Sequence, residues 1–544
     1  MGRLKIAVSQ INAVVGDIEK NSETILADYR RAAKAGADLV VFPELSLCGY
    51  PPEDLLLKKH FVQKNEQAAK LIAEKMTGPA ALFGYVSSQT EPSGIFNAAA
   101  FVEKGVIAGI YRKKNLPNYG VFDERRYFLP GDDTGIFCVR GEKFGVTVCE
   151  DIWSGEIVKK QKAMGARFLV NISASPFHAY KKYERIEMLA ERSGETGLPV
   201  IYSNLTGGQD ELVFDGGSIV FSSGGKLYQA GEFIEDFFTA DLELKTGRFY
   251  SGEREEGQNS AIDLELIYRA LVMGLRDYFF KNGFNKAVIG ISGGIDSALT
   301  AVIASEAIGA DNVSGISMPT VYSSEETKKD ARLLAENLGI SFAEFPIQDI
   351  FDTFTDKLSS SIIPDFSGLA AENIQSRIRG NLLMAYSNSY GHLVLTTGNK
   401  SELSVGYCTL YGDTAGGFCV LKDVYKTLVY QLSGHVNSVQ GKVLIPQTII
   451  DREPTAELRY GQKDSDSLAE YPVLDKILKL YIEEDKGIGE ITALTGIERD
   501  VIVKITSLVD RSEYKRRQAP PGIKITPKSF GRDRRLPITN RYSG

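Results

Sequence analysis

The stretch Ala287-Val-Ile-Gly-Ile-Ser-Gly-Gly-Ile-Asp-Ser297 reads as a short apolar strand that runs through Gly290 and Ile291 into a glycine turn, with a helix following from Ala298. Ser292, Gly293, Gly294 and Ser297 allow close backbone approach, and the helix offers free N–H groups and the positive end of its dipole. Phosphate oxygens suit such a place. No lysine follows the glycines, so the G-x-x-x-x-G-K-[ST] loop of kinases and γ-phosphate hydrolases is a poor fit. Asp296 can instead hold magnesium on a pyrophosphate. Most Gly-Gly pairs between strand and helix only make a tight turn, but the pattern S-G-G-x-D-S directly after a strand is far rarer and argues for a pyrophosphate-binding loop.

Outward from this loop, the helical pattern Leu264 to Lys281 precedes it and a second apolar strand, Val313 to Met318, follows, which makes one βαβ unit of a parallel sheet. Upstream, residues 1–245 alternate strands (Lys5 to Ser9, Asp38 to Phe42) with helices (Ser22 to Ala35), the pattern of a layered α/β domain. Between them Thr246 to Ser260 is rich in Gly and charge and has neither period, so 246–262 reads as a linker and 263–544 as the second domain. At 544 residues the chain exceeds a single core, which agrees with this division.

Hydrophobic content of 43% and charged content of 24% are those of a globular protein. No apolar run reaches the roughly 18 residues of a bilayer span, and Met1 to Asp17 alternates like a strand, so no membrane association and a cytoplasmic location are expected. The five cysteines, Cys48, Cys138, Cys149, Cys408 and Cys419, form no C-x-x-C pair, which argues against a disulfide framework or zinc ribbon. The four histidines are not placed beside a nucleophile candidate, so acid–base work falls to carboxylates and lysines. Arg511 to Gly544 holds ten Lys/Arg and two Asp/Glu, +8 on a chain of net charge −7. From Tyr514 on this basic tail lacks periodicity, and order there is expected only if something binds it.

The S-G-G-x-D-S loop resembles that of the ATP pyrophosphatases, and the resemblance implies adenylation of a substrate oxygen. Asn373-Ile-Gln-Ser-Arg-Ile-Arg-Gly-Asn381, Thr396-Thr-Gly-Asn-Lys-Ser-Glu402, Tyr411-Gly-Asp-Thr-Ala-Gly-Gly417 and Pro454-Thr-Ala-Glu-Leu458 narrow it to the glutamine-dependent NAD⁺ synthetase family. By that resemblance Gly290, Ile291, Ser292, Gly293, Gly294, Ile295, Asp296, Ser297 and Thr397 bind ATP, Lys426 its phosphates, and Asn373, Glu402 and Lys515 deamido-NAD⁺. Read from the residues alone, His392 to Thr396 is a short strand, so Thr397 and Glu402 lie beyond its end, and Glu402 can join Asp296 on magnesium. Ammonia-using relatives carry T-D-H-A-A-E where this chain has Thr-Gly-Asn-Lys-Ser-Glu, and a lysine where Leu410 stands, so those contacts do not transfer.

In the first domain, Leu39-Val-Val-Phe-Pro-Glu44, Val106-Ile-Ala-Gly-Ile-Tyr-Arg-Lys113 and Phe144-Gly-Val-Thr-Val-Cys149-Glu-Asp-Ile-Trp153 each set a polar residue beyond an apolar strand. Glu, Lys and Cys in these contexts resemble the nitrilase superfamily, which implies an α-β-β-α sandwich. Glu44 would take the thiol proton, Cys149 attack a carboxamide, and Lys113 stabilise the oxyanion and lower the thiol pKa. The same resemblance puts Tyr119, Ser175 and Lys181 on glutamine and Glu124 behind Lys113. The remaining cysteines read as small buried hydrophobes.

The expectation is therefore an α/β protein: a nitrilase-like glutamine amidohydrolase sandwich (1–245) and a Rossmann-like parallel sheet of the ATP pyrophosphatase type (263–544). Its reaction converts deamido-NAD⁺, ATP, L-glutamine and water to NAD⁺, AMP, pyrophosphate and glutamate, with Mg²⁺ as cofactor, ammonia passing through a protected channel, and the enzyme a homo-oligomer. The other readings are a different ATP-pyrophosphatase amidotransferase or a tRNA-modifying enzyme. GMP synthetase needs a G-x-C-x-G nucleophile with histidine, asparagine synthetase a cysteine directly after Met1, and a tRNA-thiolating protein paired cysteines or an RNA module; none is in the sequence, so no nucleic-acid partner is expected.

Overall fold

The computed structural model of the chain describes residues 2–90, 93–225, 227–250, 263–439, 441–466 and 468–542. It divides into two compact units, 1–262 and 263–544. Of the expected linker, Arg248–Tyr250 is an edge strand antiparallel to Asp236–Glu243, and 251–262 lie outside the described residues.

The first unit is built on two sheets. One has seven strands with Arg3–Gln10, Leu39–Val41 and Ala80–Thr90 parallel at its centre, continued antiparallel by Ser93–Glu103 and Val106–Arg112. The other has six strands, with Glu142–Val148, Leu169–Ser173 and Val200–Asn204 parallel at its centre. Side chains alternate across each strand. Ile6, Val8, Leu39 and Val41 meet Val146, Val148, Val170 and Ile172 between the sheets, whereas Ala7 and Val40 face the helices Ile18–Lys34 and Lys59–Glu74. Gly155–Ala163 and Lys181–Thr196 cover the second sheet through Val158, Met188 and Leu189. The result is an α-β-β-α sandwich whose parallel strands end at one rim. The first helix begins at Ile18, earlier than its apolar pattern suggests, because Asp17 caps it by accepting from the Lys20 N–H at 3.2 Å.

The second unit carries a five-stranded parallel sheet in the order Ser341–Glu344, Val313–Ser317, Ala287–Gly290, Leu393–Thr396, Phe418–Cys419. Chain order runs outward from Ala287–Gly290 in both directions, so a crevice opens between its end and that of Leu393–Thr396. The helix Ile295–Ile308 is apolar nearly all round and correspondingly buried. On the opposite face Val288, Ile316 and Val394 pack with Phe351, Ile378 and Leu383 of Gln348–Ser361 and Gly368–Tyr390.

The basic tail departs from expectation: it folds against its own unit. Ile523 and Ile525 are wholly buried, Asp423 accepts from the Ile525 and Thr526 N–H groups at 2.8 Å, and Lys524 pairs with Asp533 at 2.7 Å. Among its cations, Arg516 and Arg517 pair with Glu513 and Lys528 with Asp485. Periodicity does not reveal such a segment because its apolar residues fill gaps singly rather than along one face.

Candidate functional site

At the rim of the sandwich, Glu44 follows Leu39–Val41, Lys113 follows Val106–Arg112, and Cys149 follows Glu142–Val148. All three are buried, Glu44 at 0% and Lys113 at 1% exposure. Lys113 Nζ donates to Glu44 Oε1 and to Glu124 Oε1, both at 2.8 Å. Glu44 also accepts from Asn97 Nδ2 at 2.7 Å and, through Oε2, from the Ala174 N–H at 2.7 Å, which ties it to the end of Leu169–Ser173 in the facing sheet. Tyr50 donates to Glu124 at 2.9 Å.

Burial opposes the Lys113 charge, but Glu124, Glu44 and Cys149 outweigh it and hold the ammonium well above its ordinary range. Glu124 is pushed up to about 7, by burial first. At Cys149 burial and then Glu44 raise the thiol while Lys113 lowers it, as expected of that lysine; the net direction is upward, which leaves a proton for Glu44 to take. Cys149 stands at φ 45°, a left-handed conformation that costs a non-glycine residue of order 1–3 kcal/mol and aims it off the strand end. The next residue but one, Asp151, is wholly buried, and burial raises it to about 6.

The three residues expected on glutamine do not contact one another through any hydrogen bond in the structure. Tyr119, 59% exposed, donates to both oxygens of Glu150 at 3.0 Å. Ser175 is buried, its N–H on Asn204 Oδ1 at 2.9 Å. Lys181 lies 3.3 Å from Glu184 and 4.3 Å from the Trp153 ring centre. Of the other cysteines, Cys48 and Cys419 are buried as expected, Cys408 is half-buried, and Cys138 is exposed, contrary to the small-hydrophobe reading.

In the second unit the loop Ser292–Ser297 leaves Ala287–Gly290 and enters the helix Ile295–Ile308 with Gly294 at its cap. Gly293 has φ 80°, and a Cβ there would collide with the Thr327 carbonyl. Ser297 Oγ donates to Gly294 O at 2.9 Å and Arg452 Nη1 to Gly293 O at 2.9 Å, so the turn is held from both sides. The loop borders a cavity of about 440 Å³ that Thr397, Asn373, Glu402, Lys426 and Lys515 also line. Every expected residue of this half thus faces one space. Asn373 accepts from Thr409 Oγ1 at 2.7 Å, and Lys515 Nζ donates to the carbonyls of Gly406 and Cys408 at 2.7 and 2.8 Å.

Lys426 Nζ binds Asp296 and lies 3.2 Å from Glu402, and Asn399 Nδ2 donates to Asp296 Oδ1 at 2.9 Å. Burial raises Glu402 to about 8, with Asp296 and Asp464 adding to it against Lys426. Two hard oxygen donors facing a phosphate loop fit magnesium, which takes one or two carboxylates plus substrate phosphates.

Residues 5–251 match the carbon-nitrogen hydrolase family model and 267–519 the NAD synthase model. The chain is 44% identical to the glutamine-dependent NAD(+) synthetase of Thermotoga maritima, over 100% of this chain and 99% of that one. The chain belongs to the glutamine-dependent NAD(+) synthetases. That of Acinetobacter baylyi is 43% identical over 100% and 99% of the two chains. Among solved structures, the NAD⁺ synthetase of Acinetobacter baumannii, in complex with ADP, superposes with a TM-score of 0.80 at 41% identity, covering 99% of both chains. That of Cytophaga hutchinsonii has a TM-score of 0.86 at 21% identity, a likeness of fold. This synthetase is accordingly an enzyme, a ligase with a glutaminase domain.

Asn97, Glu150, Asn399, Lys400 and Arg452 went unassigned in the sequence. Asn399, Lys400 and Glu150 lie inside motifs that drew attention to their neighbours, and Arg452 two residues before Pro454. Asn97, mid-strand in Ser93–Glu103, has no sequence signal.

Proposed function

We propose that the first unit of this synthetase hydrolyses glutamine and the second amidates deamido-NAD⁺. Glu44 takes the Cys149 proton as the sulfur attacks the side-chain carboxamide of glutamine, and Lys113 donates to the oxygen that becomes negative. Glu44 returns the proton to the departing nitrogen, ammonia leaves, and water, deprotonated by Glu44, releases glutamate from the thioester. Tyr119, Ser175 and Lys181 hold the amino acid, and Glu124 holds Lys113 in place.

In the second unit, the nicotinate carboxylate of deamido-NAD⁺ attacks the α-phosphorus of ATP and pyrophosphate leaves onto the N–H groups of Ser292–Ser297 and onto Lys426. Ammonia then attacks the acyl adenylate, giving NAD⁺ and AMP. Thr397 contacts ATP, and Asn373, Glu402 and Lys515 contact the dinucleotide. Asp296 and Glu402 would hold Mg²⁺, whose charge offsets that gathering on the departing pyrophosphate. Ammonia in water is mostly ammonium, with a pKa near 10 as for amines generally, so a sheltered passage keeps it nucleophilic. The enzyme acts in the cytoplasm as a homo-oligomer; Leu369, Met384 and Tyr390, exposed along Gly368–Tyr390, give a second copy apolar surface to cover.

The observation that carries the reading is the convergence of Asp296, Glu402 and Lys426 beside a lysine-free phosphate loop. Incubation with Mg-ATP, deamido-NAD⁺ and glutamine tests it: NAD⁺, AMP and pyrophosphate are expected, and release of ADP and phosphate would overturn it.

A further inference from the structure

Cys149 and Lys113 hang from different sheets, Glu142–Val148 in the six-stranded and Val106–Arg112 in the seven-stranded one. Face-to-face packing sets the sheet spacing but not the last ångström between two side chains. Asp151 bridges that gap. Its Oδ1 accepts from the N–H groups of Lys114 at 3.1 Å and Asn115 at 2.8 Å, the two residues after Lys113. Its Oδ2 accepts from the Val148 N–H at 3.1 Å, the residue before Cys149, and from Tyr111 Oη at 2.9 Å, two residues before Lys113.

These four bonds use the roughly four acceptor sites of a carboxylate, and Asp151 meets no solvent. Capping the short helical turn Cys149–Trp153 explains only the Val148 bond. The other three reach the opposite sheet and bracket Lys113 on both sides. Cys149 is moreover in a backbone conformation that persists only where its surroundings over-determine it.

We propose that Asp151 is a positioning residue that locks the Cys149 turn to the strand end carrying Lys113, and so sets the nucleophile against the oxyanion donor. This rests on the assignment of Cys149 and Lys113 to glutamine hydrolysis, which wild-type glutaminase activity and its loss in Cys149→Ala check separately. Asp151→Asn keeps the shape but turns an NH₂ toward two donors. The geometry is needed for bond formation rather than for holding glutamine. The kcat for glutamine hydrolysis should therefore fall about 100-fold with KM unchanged within about threefold, while ammonium-driven NAD⁺ formation stays at the wild-type rate. Tyr111→Phe removes one bond of the four and should show the same split at smaller size. Should Asp151→Asn fail to fold, as loss of the first unit's unfolding transition in denaturant would report, Tyr111→Phe decides. Wild-type kcat in the folded Asp151→Asn enzyme, or in Tyr111→Phe where it decides, or a raised KM with kcat retained, would overturn the proposal.

Discussion

Lys113 Nζ lies 2.8 Å from Glu44 Oε1 where neither side chain meets solvent, and the same ammonium serves Glu124. Glu44→Gln leaves Lys113 paired with Glu124 and should fold while losing glutamine hydrolysis by about 10²–10⁴-fold, the worth of a positioned base. Lys113→Met strands two buried carboxylates and should also destabilise the first unit by about 3–5 kcal/mol, read as a lower midpoint in denaturant. An equal loss of stability in the two variants would contradict this division.

Gly293 combines φ 80° with contact against Thr327. Gly293→Ala should push the loop off the helix cap, and ATP affinity, measured by equilibrium binding, should drop at least tenfold while glutamine hydrolysis persists. The displaced peptide is the one Arg452 holds, so the loss falls on phosphate binding.

Glu402, raised to about 8, keeps its proton over much of the neutral range. A cation held by its carboxylate must displace that proton, so Mg-ATP affinity should rise as pH climbs from below 7 toward 8 and level off above it. Calorimetry in buffers of different ionisation enthalpy should show proton release near pH 7, absent in Glu402→Gln. Affinity independent of pH in the wild type would count against Glu402 as a ligand.

Lys400, fully buried, joins Asp423 at 2.8 Å, Glu483 at 2.9 Å, Thr526 Oγ1 at 2.6 Å and the Lys528 carbonyl at 2.9 Å. Lys400→Met removes the cation between two buried carboxylates and should cost the second unit about 3–5 kcal/mol. Protease cleavage within 523–542 should become faster, whereas an unchanged cleavage rate would show that the tail is held by other contacts.

What was legible in the sequence follows from what leaves a local trace. The strand, Gly-Gly and helix around Ser292 are contiguous, so loop and fold could be read together. Parallel strands ending in Glu44, Lys113 and Cys149 betrayed their rim because apolar runs stop at polar residues. Gly380, whose missing side chain admits the Gly412 carbonyl, joins two motifs that stood apart along the chain. Contacts across the fold left no such trace: Asn97 on Glu44, the four bonds of Asp151, and the tail's isoleucines, buried one at a time. The weight of burial on the Cys149 thiol left none either, because it is a property of the packed sandwich and not of neighbouring residue types.

The most direct test of two sites in one chain is NAD⁺ formation by Cys149→Ala with either glutamine or ammonium as the nitrogen source. No NAD⁺ is expected from glutamine, and near wild-type NAD⁺, with AMP and pyrophosphate, from ammonium. Loss of the ammonium-driven reaction in a folded Cys149→Ala enzyme would contradict this.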